Sequence, residues 1–474
     1  MFAGRKREIE TLLNSFNKTK GTLNVIRGRR RIGKTRLIKE LPRQKKDIIL
    51  RYLTSSPPHP DVSDNDERQL YAEQVKTEFS LSYMPPHSTW RELFSFIADM
   101  CSQKRTILAI DEINWLATKS PTIVNVIWEI WENQLTQKSQ FMLILSGSLS
   151  SWIEENIIMN KGFVGRVSVS LHLKELHLED LPTFFGSSIN KIPSFDLIKL
   201  LSALGVVPRY LEEIDLSKNA EVNLERLAFT NSGFLFDEFE KMFQDLFSKE
   251  NRFYRNILTE IGCSDRLLEP RELAEKMNLT YSGRYSDALK VLQEVGFIRK
   301  QSTWDIKSNK LGNKGVVRLC DNYTAFYFRA MLNRQSAGLI HHGVPKNLPS
   351  LLGLQFENLV HNNLHFVLAK LAVKIEDVIF ADYYTQTTTT RRQGCQVDLL
   401  IQTKNRVYVC ECKLYSNEIG KDIITKVKNK IDKLPKLAAI TYHPVLIHAN
   451  LVSDSVTEDD YFSTIIDLSE ALIS

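Results

Sequence analysis

The sequence predicts an α/β protein, in which an N-terminal parallel sheet is followed by helical modules and a second α/β domain. Three observations carry this reading. Apolar strands alternate with helical segments from Leu23 to Leu173. Gly28-Arg29-Arg30-Arg31-Ile32-Gly33-Lys34-Thr35 joins the first strand to the first helix. Two late apolar strands carry acids, in Gln396-Val397-Asp398 and in Glu411-Cys412-Lys413.

Composition bounds the problem. A chain of 474 residues has room for two to four domains, each with its own core. A hydrophobic content of 43% and a charged content of 25% are ordinary for a soluble globular protein. The longest apolar runs, such as Ile107–Ile110 and Phe141–Leu145, are far too short to span a membrane, so no membrane partner is expected. Met1-Phe2-Ala3-Gly4 runs straight into Arg5-Lys6-Arg7-Glu8, so no secretory signal is expected. The six cysteines form no C-x-x-C pair, and a reduced, cytoplasmic setting is expected. Cys410 and Cys412 lie two apart on one strand and read as core. The formal charge of +6 permits a nucleic-acid partner without requiring one.

In order, Leu23–Arg27 reads as a strand, Gly33–Leu41 as a helix, Ile48–Leu53 as a strand and Trp90–Cys101 as a helix. Thr106–Asp111 (strand), Ile123–Asn133 (helix), Phe141–Ser146 and Val167–Leu173 (strands) follow. The polar, Pro-rich stretch Ser55–Ser88 reads as an excursion with at most one helix. Further on, Phe253–Ile261, Glu269–Met277 and Ser282–Val295 read as three helices, closed by Gly296 before a strand at Phe297-Ile298-Arg299-Lys300. Three helices and a returning strand suggest a winged helix-turn-helix, a shape that contacts DNA in some proteins and only protein in others. Gly315–Cys320 reads as a connector strand, and Tyr323, Phe326, Tyr327 and Phe328 as a cluster that packs the connector rather than stacking on bases. Near the end, strands are expected around Val378–Tyr384, Gln396–Gln402, Arg406–Lys413, Ala438–Thr441 and His443–Ile447, with a helix at Ile419–Lys433.

Gly-x-x-x-x-Gly-Lys-Thr between a strand and a helix is the setting in which backbone N–H groups wrap phosphates. Gly28 and Gly33 allow the loop to close, Lys34 reaches the β- and γ-phosphates of ATP, and Thr35 places a hydroxyl on Mg²⁺. Arg29, Arg30, Arg31 and Ile32 fill the variable positions. The strand that ends in Asp111-Glu112 supplies a carboxylate for Mg²⁺ and one to orient or deprotonate the attacking water. Ser148 or Ser146, after the next strand, suits either a sensor of the γ-phosphate or a helix cap. Arg166, before the last strand of the sheet, suits an arginine finger offered to a neighbouring subunit, which would imply a homo-oligomer.

With these motifs in place, the chain resembles the AAA-type ATPases common in archaea and bacteria, near the signalling STAND group. The resemblance rests on Phe2-Ala3-Gly4-Arg5-Lys6-Arg7-Glu8, the phosphate loop, Asp111-Glu112-Ile113-Asn114-Trp115-Leu116, Ser146-Gly147-Ser148, Gly165-Arg166 and Gly205-Val206-Val207-Pro208-Arg209-Tyr210-Leu211. It implies that the last segment belongs to a lid over the nucleotide, with Arg209 as a γ-phosphate sensor, although Val206 stands where the family usually has a second glycine. It also implies a winged helix and a C-terminal domain similar to the restriction-endonuclease fold. The expected limits are 1–175 for the ATPase core, 176–240 for the helical lid, 241–305 for the winged helix, 306–348 for a connector and 349–474 for the nuclease-like domain.

In that C-terminal fold a helix carrying Glu357, a strand ending in Asp398 and a strand with Glu411-x-Lys413 are expected to converge. Glu411 and Lys413 lie two apart on a strand and therefore share a face. Asp398 and Glu411 are read as ligands for Mg²⁺ or Mn²⁺, Glu357 as assisting, and Lys413 as positioning the nucleophilic water. Val397 replaces the proline that often precedes the aspartate. His361, one turn after Glu357, reads as packing, and Arg391 and Arg392 as candidates for phosphate contact or for a polar hairpin. The functional expectation is an ATP-dependent enzyme with a metal-dependent nuclease acting on DNA, in defence or mobile-element biology. The alternative is an ATP switch or binding scaffold that does not cut.

Overall fold

The computed structural model describes residues 2–473 apart from 58–60, 102–104, 149, 248–250, 265, 337–342, 389 and 391–392. Arg391 and Arg392 therefore lie outside the described residues. The chain divides into two compact units, Met1–Leu176 and His177–Ser474.

In the first unit β1 (Thr22–Arg27), β2 (Ile49–Thr54), β3 (Thr106–Asp111), β4 (Phe141–Gly147) and β5 (Val167–His172) form one sheet in the order β2-β3-β4-β1-β5. Every pair is parallel. The order sets the carboxyl ends of β1, β3 and β4 side by side, and it is there that open α/β sheets bind ligands. All of β3 and β4 is buried, because helices cover both faces. Leu108, Ile110, Leu143 and Leu145 pack on one side with Trp90, Leu93 and Ile97. Ile107, Ala109, Met142 and Ile144 pack on the other with Leu12, Phe16, Leu37 and Ile38. The excursion between β2 and β3 holds the helix Asp64–Glu78, whose start is fixed by reciprocal hydrogen bonds between Ser63 and Asp66.

The second unit opens with helices that include Ser194–Leu204, Pro208–Leu211, Ala220–Ala228 and Glu238–Leu246. Asn251–Gly262, Pro270–Lys276 and Gly283–Val295 follow, and then an antiparallel hairpin of β6 (Ile298–Asp305) and β7 (Lys310–Leu319). The strand expected in a connector is thus the second arm of this hairpin, which crosses the limit read at residue 305. The rings of Tyr323, Phe326, Tyr327 and Phe328 are buried, with Tyr327 stacked on Phe239 at 4.3 Å, so they are packing groups.

β8 (Phe380–Gln386), β9 (Cys395–Gln402), β10 (Arg406–Lys413), β11 (Thr441–His448) and β12 (Thr464–Asp467) form a mixed sheet in the order β12-β11-β10-β9-β8. β8, β9 and β10 are antiparallel neighbours, whereas β10, β11 and β12 run parallel. The expected strand at Ala438–Thr441 is not formed; β11 begins at Thr441 and contains the strand expected at His443–Ile447. The hairpin is fastened to this sheet: Trp304 stacks on Phe380 at 4.6 Å and donates a hydrogen bond to Gln402 at 2.7 Å. Ile306 joins Tyr384, Val397, Leu400 and Val407 in one core. The helix Leu348–Asn362 is tied to the helix Ser194–Leu204 through Asn322, which donates to the carbonyls of Ser202 and Gln355 at 2.7 and 3.0 Å. The segment read as a lid therefore packs within the C-terminal unit. Among the described residues no helix is long and apolar enough to cross a membrane.

Candidate functional site

The loop after β1 is held in a conformation that few residues adopt. Gly28 has φ 150°, and a Cβ there would meet the Leu173 carbonyl oxygen at 2.5 Å, while Gly33 has φ 94°. The helix Lys34–Gln44 starts at this turn, so its free N–H groups face the loop. Lys34 is buried and donates to the carbonyls of Gly28 and Arg29 at 2.8 and 3.3 Å. Burial pulls its pKa down, and the charges of Glu112 and Asp111 oppose that pull.

Asp111, at the end of β3, accepts from Thr35 at 2.8 Å and from the Tyr52 hydroxyl at 2.5 Å. Burial works against its charge, but these hydrogen bonds and Lys34 outweigh it and keep its carboxyl below the ordinary range. The next residue, Glu112, sits at φ 53° and accepts from both the amide and the hydroxyl of Ser148, at 3.1 and 2.8 Å. Lys34, Thr35, Asp111, Glu112 and Ser148 are thus brought together at one sheet edge. Arg30 lies over the Trp115 ring at 5.1 Å.

In the second unit Asp398 on β9 and Glu411 on β10 converge on two ammonium groups. Lys413 Nζ is 2.7 Å from Glu411 Oε1 and 3.9 Å from Asp398 Oδ2. Lys430, on the helix Asp422–Lys433, is 2.5 Å from Glu411 Oε2 and 3.3 Å from Asp398 Oδ1. Asp398 Oδ2 also accepts from the Cys412 amide at 2.9 Å. Burial and then the charge of Glu411 raise the pKa of Asp398. Glu411 is buried too, but Lys413 and Lys430 prevail and lower its pKa. The same contacts raise the pKa of both lysines against the effect of burial.

Glu357 stands apart from this pair. Its partner is Arg318 of β7 at 3.5 Å, and the Arg318 guanidinium lies over the Tyr383 ring at 3.3 Å. Burial, and then the charge of Asp398, push the Glu357 carboxyl up to about 7. His361 packs flat on Tyr383 at 3.7 Å and hydrogen-bonds through Nε2 to the Asp398 carbonyl at 2.8 Å, which fixes the backbone that carries the acid. Among the described residues no three His, Cys, Asp or Glu side chains are grouped to hold a metal ion. The set is two carboxylates that already bind a common cationic group. That donor chemistry fits a hard divalent ion.

Residues 2–214 match the family described as an ATPase domain predominantly from Archaea. This part of the chain belongs to that ATPase family. Two proteins of Methanocaldococcus jannaschii are similar. One, an uncharacterized protein, is 26% identical over 341 residues, 71% of this chain and 70% of its own. The other, an uncharacterized ATP-binding protein, is 48% identical over 46 residues, 10% of this chain and 78% of its own. A Walker-type ATPase of Pyrococcus abyssi aligns over 69% of this chain and 95% of its own at 16% identity and a TM-score of 0.49.

Within the ATPase domain Arg166 precedes β5, is partly exposed and pairs with Glu132. The matched region also reaches into the second unit, where Arg209 pairs with Glu212 and Glu213 at 3.1 and 2.6 Å and lies over the Phe234 ring at 4.5 Å. Sequence reasoning missed Tyr52, Arg318 and Lys430. For Lys430 a signal existed. Ile423, Ile424 and Val427 are the buried stripe of their helix, and position 430 continues it at helical spacing, so a lysine there interrupts an apolar face.

Proposed function

We propose that the chain couples ATP binding and hydrolysis to a metal-dependent nuclease that acts on DNA. The observation that carries the reading is the convergence of Asp398 and Glu411, on adjacent inner strands of a mixed sheet, on Lys413 and Lys430. Two acids and two cations, mostly buried, are costly to hold together for stability alone. In the first unit Lys34 and the loop amides bind the ATP phosphates, and Thr35 with Asp111 forms the hydroxyl and carboxylate pair that holds Mg²⁺. Glu112 orients water, and its hydrogen bonds from Ser148 hold the carboxylate in place.

In the second unit Asp398 and Glu411 would hold Mg²⁺ or Mn²⁺, with Glu357 assisting. A bound divalent ion supplies charge stabilisation at the phosphate and a more acidic water. Lys413 positions water and meets the developing negative charge, and His361 keeps the Asp398 backbone in register. The helices of 251–295 with the β6–β7 hairpin are read as a winged helix, and those of 176–240 as a lid carrying Arg209. Arg166 is read as a finger for a neighbouring copy, and defence or mobile-element biology as the setting.

Plasmid incubated with the purified protein, Mn²⁺ and ATP tests the proposal. Conversion of supercoiled DNA by the wild type, with loss in Asp398→Ala, supports it. Cleavage retained in Asp398→Ala contradicts it. In the second reading, a non-cutting switch, the two ammonium groups are permanent partners of the acids.

A further inference from the structure

We propose that Lys430 is a resident counter-cation of the acid pair, which a divalent ion must displace in order to bind. The inference rests on the reading of Asp398 and Glu411 as metal-holding residues, and it adds how that site is kept weak. Each carboxylate offers one oxygen to a common point. These are Asp398 Oδ1 and Glu411 Oε2, and Lys430 Nζ occupies that point at 3.3 and 2.5 Å. The other oxygens are engaged elsewhere, Glu411 Oε1 by Lys413 at 2.7 Å and Asp398 Oδ2 by the Cys412 amide at 2.9 Å.

A hard divalent cation shared by the two acids takes the oxygens that converge. An ammonium and a divalent ion cannot share one point in a buried site, because their repulsion is poorly screened there. Entry of metal therefore means exit of Lys430. Its side chain suits the exchange, because it reaches the acids from a separate helix on a flexible four-carbon stem and is 24% exposed. Lys413 differs in kind: it belongs to the same strand as Glu411 and is bonded to the Cys412 carbonyl at 3.1 Å.

Titration of the full chain with Mn²⁺ alone, without nucleotide or nucleic acid, tests this by calorimetry. The binding lost in Asp398→Ala/Glu411→Ala defines the site. Lys430→Met should bind Mn²⁺ at this site more tightly than wild type by about tenfold or more, because the competing charge is gone. Lys430→Arg, which keeps the charge, should not. The rise in Tm on adding Mn²⁺ should likewise be larger for Lys430→Met, and Lys430→Gln carries the same test if the methionine variant fails to fold. Affinity in both neutral variants equal to or weaker than wild type overturns the proposal while leaving the metal site standing. No Mn²⁺ binding that depends on Asp398 and Glu411 in any variant removes the metal site itself, and the proposal with it.

Discussion

The two sites hold their charges in opposite ways. Beside the phosphate loop Lys34, Asp111 and Glu112 are hydrogen-bonded to neutral groups: Lys34 to backbone carbonyls, Asp111 to the hydroxyls of Thr35 and Tyr52, Glu112 to Ser148. In the C-terminal unit the acids are bonded to cations: Glu411 to Lys413 and Lys430, Asp398 to Lys430, Glu357 to Arg318. A charge held by neutral donors keeps most of its field for a ligand. A charge already paired must give up its partner first. The first arrangement suits a site that takes a phosphate and a cation as it stands, and the second a site that has to be opened.

This difference can be broken or sharpened by substitution. The largest effect is expected for Glu112→Gln, which should retain ATP and lose turnover by about 10²–10⁴-fold, the usual weight of a positioned base. Single-turnover hydrolysis beside a binding titration reads both. Lys34→Ala should weaken ATP binding by about 100-fold or more, since charged hydrogen bonds are worth about 1.5–3 kcal/mol each. Equal titrations for wild type and Lys34→Ala would remove the phosphate-loop assignment. Ser148→Ala should cost about tenfold in turnover through loss of one hydrogen bond to the Glu112 carboxylate and leave ATP affinity nearly unchanged.

A further effect is on stability and comes from the C-terminal unit. Glu357 has a folded pKa of about 7 against an ordinary 4.5, so between those values the folded chain holds a proton that the unfolded chain has released. Its contribution is present below the lower value and is lost as pH rises to the higher. Glu357→Gln should therefore be more stable than wild type at pH 8, by on the order of 1–3 kcal/mol, with the gap closing toward pH 4. Denaturant melts at the two pH values measure it, and a gap of the same size at both would show that the carboxyl is not the cause.

The contrast also explains what could be read from the sequence. Phosphate-loop chemistry is local: Gly28 to Thr35 are consecutive, and the apolar strand before them fixes their place. Asp111 is the last of the six buried residues of β3 and Glu112 follows it, so both stand at the carboxyl end of a strand in a parallel sheet. Tyr52 was not legible, because its contact with Asp111 depends on β2 lying next to β3. In the C-terminal unit the alternation of Val407 to Lys413 placed Glu411 and Lys413 on one face, but the counter-charges come from remote elements. Arg318 reaches Glu357 only because β7 completes the β6 hairpin, a pairing that the local pattern of its strand does not reveal. Lys430 reaches the acids from the helix Asp422–Lys433, and its one trace in the sequence is a lysine on an apolar stripe.

In the proposed function the acid pair of the C-terminal unit would cut DNA, and the phosphate loop, at a site of its own, would hydrolyse the ATP coupled to it. The most direct measurement is Mn²⁺-dependent cleavage of plasmid by Asp398→Ala/Glu411→Ala beside the wild type, with ATP hydrolysis read from the same samples. The account predicts that cleavage falls by on the order of 10³-fold or more in the double variant and that ATP hydrolysis is unchanged. Cleavage that persists undiminished in the double variant would contradict it.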